Sequence, residues 1–194
     1  MGLTSVFCSN AAHCVAVGSY WTDPHGQLGL ALAEAWNGSA WQILPTPDPG
    51  PSNGLNAVAC ASQRSCMAVG GYTTEQGVAH NLAEAWNGKK WRAVRAPGPV
   101  GYGPGLIHVS CPSAASCMAV GNYLTNFGVV SHDLAERWNG KVWRVVKTAG
   151  PGGGLSDVSC TRAARCIAVG QPGSRTLAEM WNGVRWRLLR TRNP

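Results

Sequence analysis

Short apolar runs separated by Gly, Pro and Asn-Gly fill this chain, and none holds the 3.6-residue period of an amphipathic helix. The runs recur. Laid on itself, the sequence divides into four copies beginning at Gly2, Gly54, Gly105 and Gly154, at steps of 52, 51 and 49 residues. Each copy opens with Gly-Leu, then Val and Cys, and a second Cys follows six positions later. Ala-Val-Gly comes next, ending at Gly18, Gly70, Gly121 and Gly170, and after a variable stretch each copy closes on LAExWNGxxW. The pattern predicts four short strands per copy: A (GLxxVxC), B (CxAVG), C (LAExW) and D, which starts at the second Trp. Asn-Gly between C and D is a strong hairpin signal, because both positions of a two-residue turn need φ > 0. Gly- and Pro-rich segments such as LPTPDPGPSNG join D to the next A.

A four-stranded meander repeated about every 50 residues suits the blade of a β-propeller. A β-solenoid is the alternative, but its repeats are usually shorter and lack paired hairpins. The expectation is therefore one all-β domain over residues 1–194, a four-bladed propeller of four-stranded antiparallel blades at about 2–53, 54–104, 105–153 and 154–194. Composition agrees. Charged residues make up only 13% of the chain against 45% hydrophobic, as expected where blades stack and cover both faces of most sheets. No apolar run approaches the roughly 20 residues of a spanning helix. The N-terminus lacks a basic region followed by an apolar one, so any export signal is expected outside this chain.

All eight Cys fall in equivalent pairs: Cys8 and Cys14, Cys60 and Cys66, Cys111 and Cys117, Cys160 and Cys166. An i, i+6 pair flanking a short A–B loop comes within disulfide range, and regular pairing implies an oxidising compartment. Zinc competes for such residues but needs four ligands. The five His, at positions 13, 25, 80, 108 and 132, occupy no common repeat column. No metal and no cofactor is expected.

The G-x-x-W close of the C–D hairpin resembles the turn of kelch, Asp-box and PQQ-type propeller repeats, although Trp stands where the Asp-box pattern has its Asp. The whole unit, CxxxxxCxAVG…LAExWNGxxW, resembles tandem repeats of uncharacterised secreted bacterial propeller-like proteins. That resemblance implies the fold and an extracellular or cell-envelope setting. It carries no activity.

The column Glu34, Glu84, Glu136 and Glu179 takes four of the nine acidic residues. An acid present in every blade cannot assemble one asymmetric catalytic centre, so a structural role is expected. A two-residue turn would put Glu84 opposite Trp91, able to accept from an indole or a backbone N–H. On strand D, Arg92, Arg144 and Arg187 share one column and Arg95, Lys147 and Arg190 another. There they protect an open sheet edge or offer a rim to a polyanion. No G-x-S-x-G, HExxH or Walker A motif is present.

Function is expected where the copies differ. The A–B and C–D turns are nearly uniform, whereas 13, 11, 12 and 6 residues separate the Ala-Val-Gly glycine from the Leu-Ala-Glu leucine. Variable connections on a rigid scaffold commonly carry binding. The candidate ligand-binding residues are Trp21, Asp23, His25, Tyr72, His80, Tyr123, Phe127 and His132. Trp21 leads them because no other copy has its counterpart, while Tyr20, Tyr72 and Tyr123 share a column that also suits packing. The expected function is a non-catalytic extracellular binding module for a glycan or protein, and the alternative is an assembly piece of a larger propeller. An enzyme is the least favoured reading.

Net charge is +7, distributed as −3, +3, +2 and +5 over the four copies. A ring closed within one chain would join the acidic first copy to the basic fourth, and this monomer is the favoured expectation. Two chains sharing an eight-bladed ring would make the same charge match between chains.

Overall fold

The computed structural model describes residues 2–22, 28–99, 105–125 and 129–192. Sixteen strands form four antiparallel meanders among the described residues. Sheet 1 is β1 (Gly2–Asn10), β2 (His13–Trp21), β3 (Gly29–Trp36) and β4 (Trp41–Leu44). Sheet 2 is β5 (Ser52–Ser62), β6 (Ser65–Thr73), β7 (Ala79–Trp86) and β8 (Trp91–Val94). Sheet 3 is β9 (Leu106–Ser113), β10 (Ser116–Thr125), β11 (Val130–Trp138) and β12 (Trp143–Val145). Sheet 4 is β13 (Leu155–Arg162), β14 (Arg165–Gly170), β15 (Leu177–Trp181) and β16 (Trp186–Leu188). Strand order follows chain order in every sheet, as the hairpin signals predict.

Alternation of side chains gives each sheet two different faces. One carries the cystines, the paired Trp residues, the Leu of strand A and the Ala of strand B; the other carries the Val of strand B and the Ala of strand C. The Cys/Trp face of each sheet packs on the Val/Ala face of the sheet before it. Leu55, Val58, Ala68 and Trp91 of sheet 2 bury Val17, Ala31 and Ala33 of sheet 1. Leu106, Val109, Ala119 and Trp143 of sheet 3 bury Val69 and Ala83 of sheet 2, and sheet 4 repeats the arrangement on Val120 and Ala135. The first strands pack side by side and are cross-linked by hydrogen bonds. Thr4 Oγ1 donates to the Leu55 carbonyl at 2.8 Å, and Asn56 Nδ2 to the Leu106 carbonyl at 2.8 Å.

The expected seam between first and fourth copies is not formed. Leu3 is 49% and Val6 60% exposed, whereas Leu55, Leu106 and Leu155 are 1%, 0% and 0% exposed. Val169 on the opposite face of sheet 4 is 41% exposed, while Val17, Val69 and Val120 are fully buried. Four blades therefore form an arc with one unpartnered face at each end. Blade curvature is set by how far each sheet rotates on the last, a property of side-chain packing that repeat counting does not contain.

Two local devices explain fixed columns of the repeat. A Cβ on Gly70 would lie 2.0 Å from the Gly54 carbonyl oxygen, and Gly18, Gly121 and Gly170 meet the opening glycine of their own copy in the same way. The Ala-Val-Gly glycine lets strand B cross strand A at this point. All four predicted disulfides are present across the A–B hairpins, and three of them join residues directly opposite in the ladder, Cys60 to Cys66 for example.

The C–D hairpin corrects the two-residue turn expected from Asn-Gly. Trp86 pairs with Trp91, so the loop has four residues, and Glu84 lies opposite Ala93 rather than Trp91. The reason is Asn87, whose Oδ1 accepts from Lys89 N and Lys90 N at 2.9 and 3.0 Å. This side-chain turn widens the loop, and Gly88 still supplies a positive φ of 89°. Asn37, Asn139 and Asn182 do the same.

Candidate functional site

Tyr72 at the end of β6 pairs across the ladder with His80 in β7, and Tyr123 in β10 pairs with His132 in β11. The rings stack, with centroids 5.2 and 4.8 Å apart and planes inclined by 21° and 18°. Thr125 Oγ1 lies 2.9 Å from His132 Nε2 and fixes that ring further. Each pair forms one wall of a cleft at the end of the sheets where the B–C and D–A connections lie. The first cleft, of about 460 Å³, adds Pro49, Asn81, Arg95 and Pro97. The second, of about 540 Å³, adds Pro99, Asp133, Lys147 and Pro151. The two match position by position: a Tyr–His stack, a cation just beyond strand D, and prolines from the connections.

This equivalence is hidden when His positions are counted from the start of each copy. His80 and His132 each stand two residues before the Leu of Leu-Ala-Glu, and counting back from that Leu exposes the column. Unequal B–C loops hide it from the other direction. The first sheet lacks the stack, because Tyr20 pairs with Leu30. The next residue, Trp21, pairs with Gly29. It is 52% exposed and lines a groove of about 440 Å³ together with Asn53, Tyr72, Thr73 and His80. Trp21 and the first Tyr–His stack therefore share one groove, which adjoins the first cleft through Tyr72 and His80. Asp23, His25 and Phe127 lie outside the described residues. Asp133 is occupied structurally, accepting from Gly152 N at 3.2 Å and Gly154 N at 2.8 Å to fix the D–A connection.

The glutamate column lies between the sheets. Glu84, Glu136 and Glu179 are all 0% exposed. Their partners are not indoles, contrary to one of the expected donors. Glu136 accepts from the side chain of Asn81 in the preceding sheet and from the backbone of Gly98. Glu179 accepts from Ala149 N at 2.8 Å, with Gly150 also donating. In the first three sheets the first indole of the Trp pair instead donates to the A–B turn: Trp36 to the Ala11 carbonyl, Trp86 to Gln63 and Trp138 to Ala114, whereas Trp181 Nε1 has no partner among the described residues. Burial pushes the Glu136 carboxyl up to about 7, with Asn81 and Gly98 pulling against it. Glu84 is pushed higher, to about 8, by burial and then by the like charge of Asp48. Neither of its oxygens has a hydrogen-bond partner among the described residues.

No group of three or more metal-ligating side chains occurs among the described residues, and no helix is long and apolar enough to cross a membrane. The strand-D cations Arg92, Arg144 and Arg187 are exposed along the outer edges, and Arg95 and Lys147 reach the clefts.

No protein-family model and no curated protein matches the chain. Solved structures do. YCF48 bound to D1 peptide superposes with a TM-score of 0.57 at 14% identity, over 96% of this chain and 53% of that one. YCF48 from Cyanidioschyzon merolae gives 0.53 at 14%, over 96% and 55%. The GH74 enzyme of Niastella koreensis gives 0.57 at 10%, over 95% and 31%. These are β-propellers, and at such identities the likeness establishes the blade architecture alone. The chain spans about half the length of the YCF48 chains.

Proposed function

We propose that this chain is a non-catalytic binding module that lays an extended glycan along the B–C and D–A face of the arc. The observation that carries the reading is the recurrence of one stacked Tyr–His wall in two adjacent clefts, the first continuous with the groove beneath Trp21. Sugar rings present apolar C–H faces that stack on aromatic rings and hydroxyls that take up hydrogen bonds at the rim, a division of labour typical of small-ligand sites. Repeated subsites at blade spacing suit a polymer better than a single small molecule. Arg95 and Lys147 extend the preference to sugars bearing carboxylate or sulfate groups. The four disulfides fit an oxidising, extracellular setting where such polymers occur.

A catalytic reading draws less support. The carboxyls with raised affinity for protons are sealed between sheets at 0% exposure, where no substrate reaches them. A protein segment is the second reading, favoured by the likeness to a propeller solved with a bound peptide. Titration calorimetry with neutral and acidic oligosaccharides separates the two. Binding of an oligosaccharide, lost in Trp21→Ala and His80→Ala, supports the glycan reading. Silence toward every sugar, with binding to peptides through the same residues, replaces it.

A further inference from the structure

We infer that two copies of this chain close one eight-bladed ring, with the Val/Ala face of sheet 4 in each copy packed on the Cys/Trp face of sheet 1 in the other. The inference is independent of what the clefts bind. Its basis is that each open end of the arc displays the face that the three internal interfaces bury. At one end Leu3, Val6 and Trp41 are 49%, 60% and 44% exposed, while Leu55, Val58 and Trp91, their counterparts in sheet 2, are 1%, 6% and 4% exposed. At the other end Ile167 and Val169 are 38% and 41% exposed, while Met67 and Val69 are 4% and 0% exposed. The ends are thus the two halves of an interface this sequence already forms three times.

The occupant is a second copy because the ends differ in ways that fit each other. In two of the three internal interfaces the buried Glu takes backbone donors from the D–A connection of the preceding sheet, as Glu179 does from Ala149 at 2.8 Å and Glu136 from Gly98. Among the described residues no sheet packs in front of Glu34, its counterpart in sheet 1. The residue standing in the Ala149 position after sheet 4 is Arg192. The register there is secure: Thr191 Oγ1 donates to the Thr176 carbonyl at 3.2 Å, as Thr46 Oγ1 donates to Ala31 at 3.0 Å. Across the seam, therefore, Glu34 of one copy meets both the backbone and the guanidinium of Arg192 of the other. The first copy of the repeat carries −3 and the fourth +5, so the two copies that meet are opposite in net charge.

Area agrees with the need. The chain exposes 10615 Å², whereas a compact monomer of its mass exposes about 8,800 Å². The excess is of the order of one standard protein interface, about 1,600 Å². The alignment covers 53% of the length of one propeller chain, so two copies supply about the chain length of one whole propeller. Two identical head-to-tail seams related by a two-fold axis then close the assembly without leaving an edge.

Light scattering on the 194-residue chain tests this. The expected mass is twice 20.4 kDa. A single-chain mass at tens of micromolar, or a ladder of ever larger species, overturns the ring. Val6→Asp puts a carboxylate where sheets 2 to 4 bury valine, yet in the free arc it stays in water; it is expected to halve the mass with strand content unchanged. Glu34→Lys and Arg192→Glu are each expected to halve it as well. Mixing these two variants restores opposite charges at both seams and is expected to restore the doubled mass, which a misfolded variant does not do. Persistence of the doubled mass in Val6→Asp places the contact elsewhere and overturns the proposal.

Discussion

Asp48 stands in the repeat where Gly98 and Gly150 stand in the later connections, and this one difference accounts for the unusual state of Glu84. A Cβ on Gly98 would fall 1.8 Å from Asn81 Nδ2 and 2.8 Å from Glu136 Oε1, and one on Gly150 would fall 2.6 Å from Glu179 Oε1. Only glycine brings its backbone N–H so near the carboxylate. Asp48 has a Cβ and a charge of its own, and Glu84 is left without a donor. A carboxyl whose affinity for protons rises on folding is protonated in both states below about its ordinary value of 4.5. As pH rises toward 8 the unfolded chain releases that proton first, so stability falls across this window. A tenfold difference in proton affinity between the two states corresponds to about 1.4 kcal/mol. The melting temperature is therefore expected to drop between pH 5 and pH 8. Glu84→Gln is expected to flatten that slope more than Glu136→Gln, and Asp48→Gly to flatten it in part. Thermal melts across the pH range check this, and an unchanged slope in Glu84→Gln refutes it. Steric need at the B-strand glycine is tested separately: Gly70→Ala, 2.0 Å from a carbonyl, is expected to cost about 3 kcal/mol or more. Its neighbour Gly71→Ala, whose Cβ would sit at an ordinary 3.5 Å, is expected to cost far less.

At the scale of the hairpin, the cystines and the Asn turns fix the same end of each sheet, where Cys66 at the start of strand B pairs with Trp86 at the close of strand C. A loop this short gives about 2 kcal/mol per bridge by chain entropy alone, nearly equal for all four. Burial then separates them. Cys60 and Cys66 are 8% and 4% exposed and pack against sheet 1, whereas Cys8 sits on the open face. Replacing Cys60 and Cys66 together by Ala is expected to destabilise by about 1–2 kcal/mol more than replacing Cys8 and Cys14, through lost packing. Chemical denaturation of the two variants measures the difference, and equal losses refute it. On the neighbouring C–D turn, Asn87→Ala removes an acceptor from two backbone N–H groups and is expected to cost about 1 kcal/mol.

Taken whole, the molecule is an arc whose regularity serves stacking and whose irregular end carries the clefts. Uniform turns crowd one end, and clefts lined by Tyr72, His80, Tyr123 and His132 open at the other. Trp21→Ala is expected to weaken glycan binding by about tenfold, about 1.4 kcal/mol, while the melting temperature stays within a degree or two, because the side chain is 52% exposed. Loss of stability in parallel with binding would make Trp21 a packing residue. The exposed strand-D cations Arg92, Arg144 and Arg187 provide a further check. If they hold a polyanion, affinity falls steeply with added salt and each substitution lessens that slope. If they only protect sheet edges, salt has no such effect and their loss promotes association instead.

The repeat by itself determined the all-β class, the four meanders, the cystine pairing and the end of the molecule that varies. Each of these follows from local chemistry: alternation, turn residues and fixed spacing act within one hairpin. The C–D register differs from the one Asn-Gly implies because Asn87 closes a four-residue loop with its side chain, and a dipeptide signal does not distinguish that from a two-residue turn. The Tyr–His stacks are legible only when counted from strand C, since the loops between are unequal. What the tertiary structure alone decided is non-local. Which donors reach the buried glutamates depends on the neighbouring sheet, and the open ends depend on the rotation from sheet to sheet. That rotation arises from how Leu, Val and Trp of one face interlock with Val and Ala of the next, a packing geometry that the order of residues along one strand does not express.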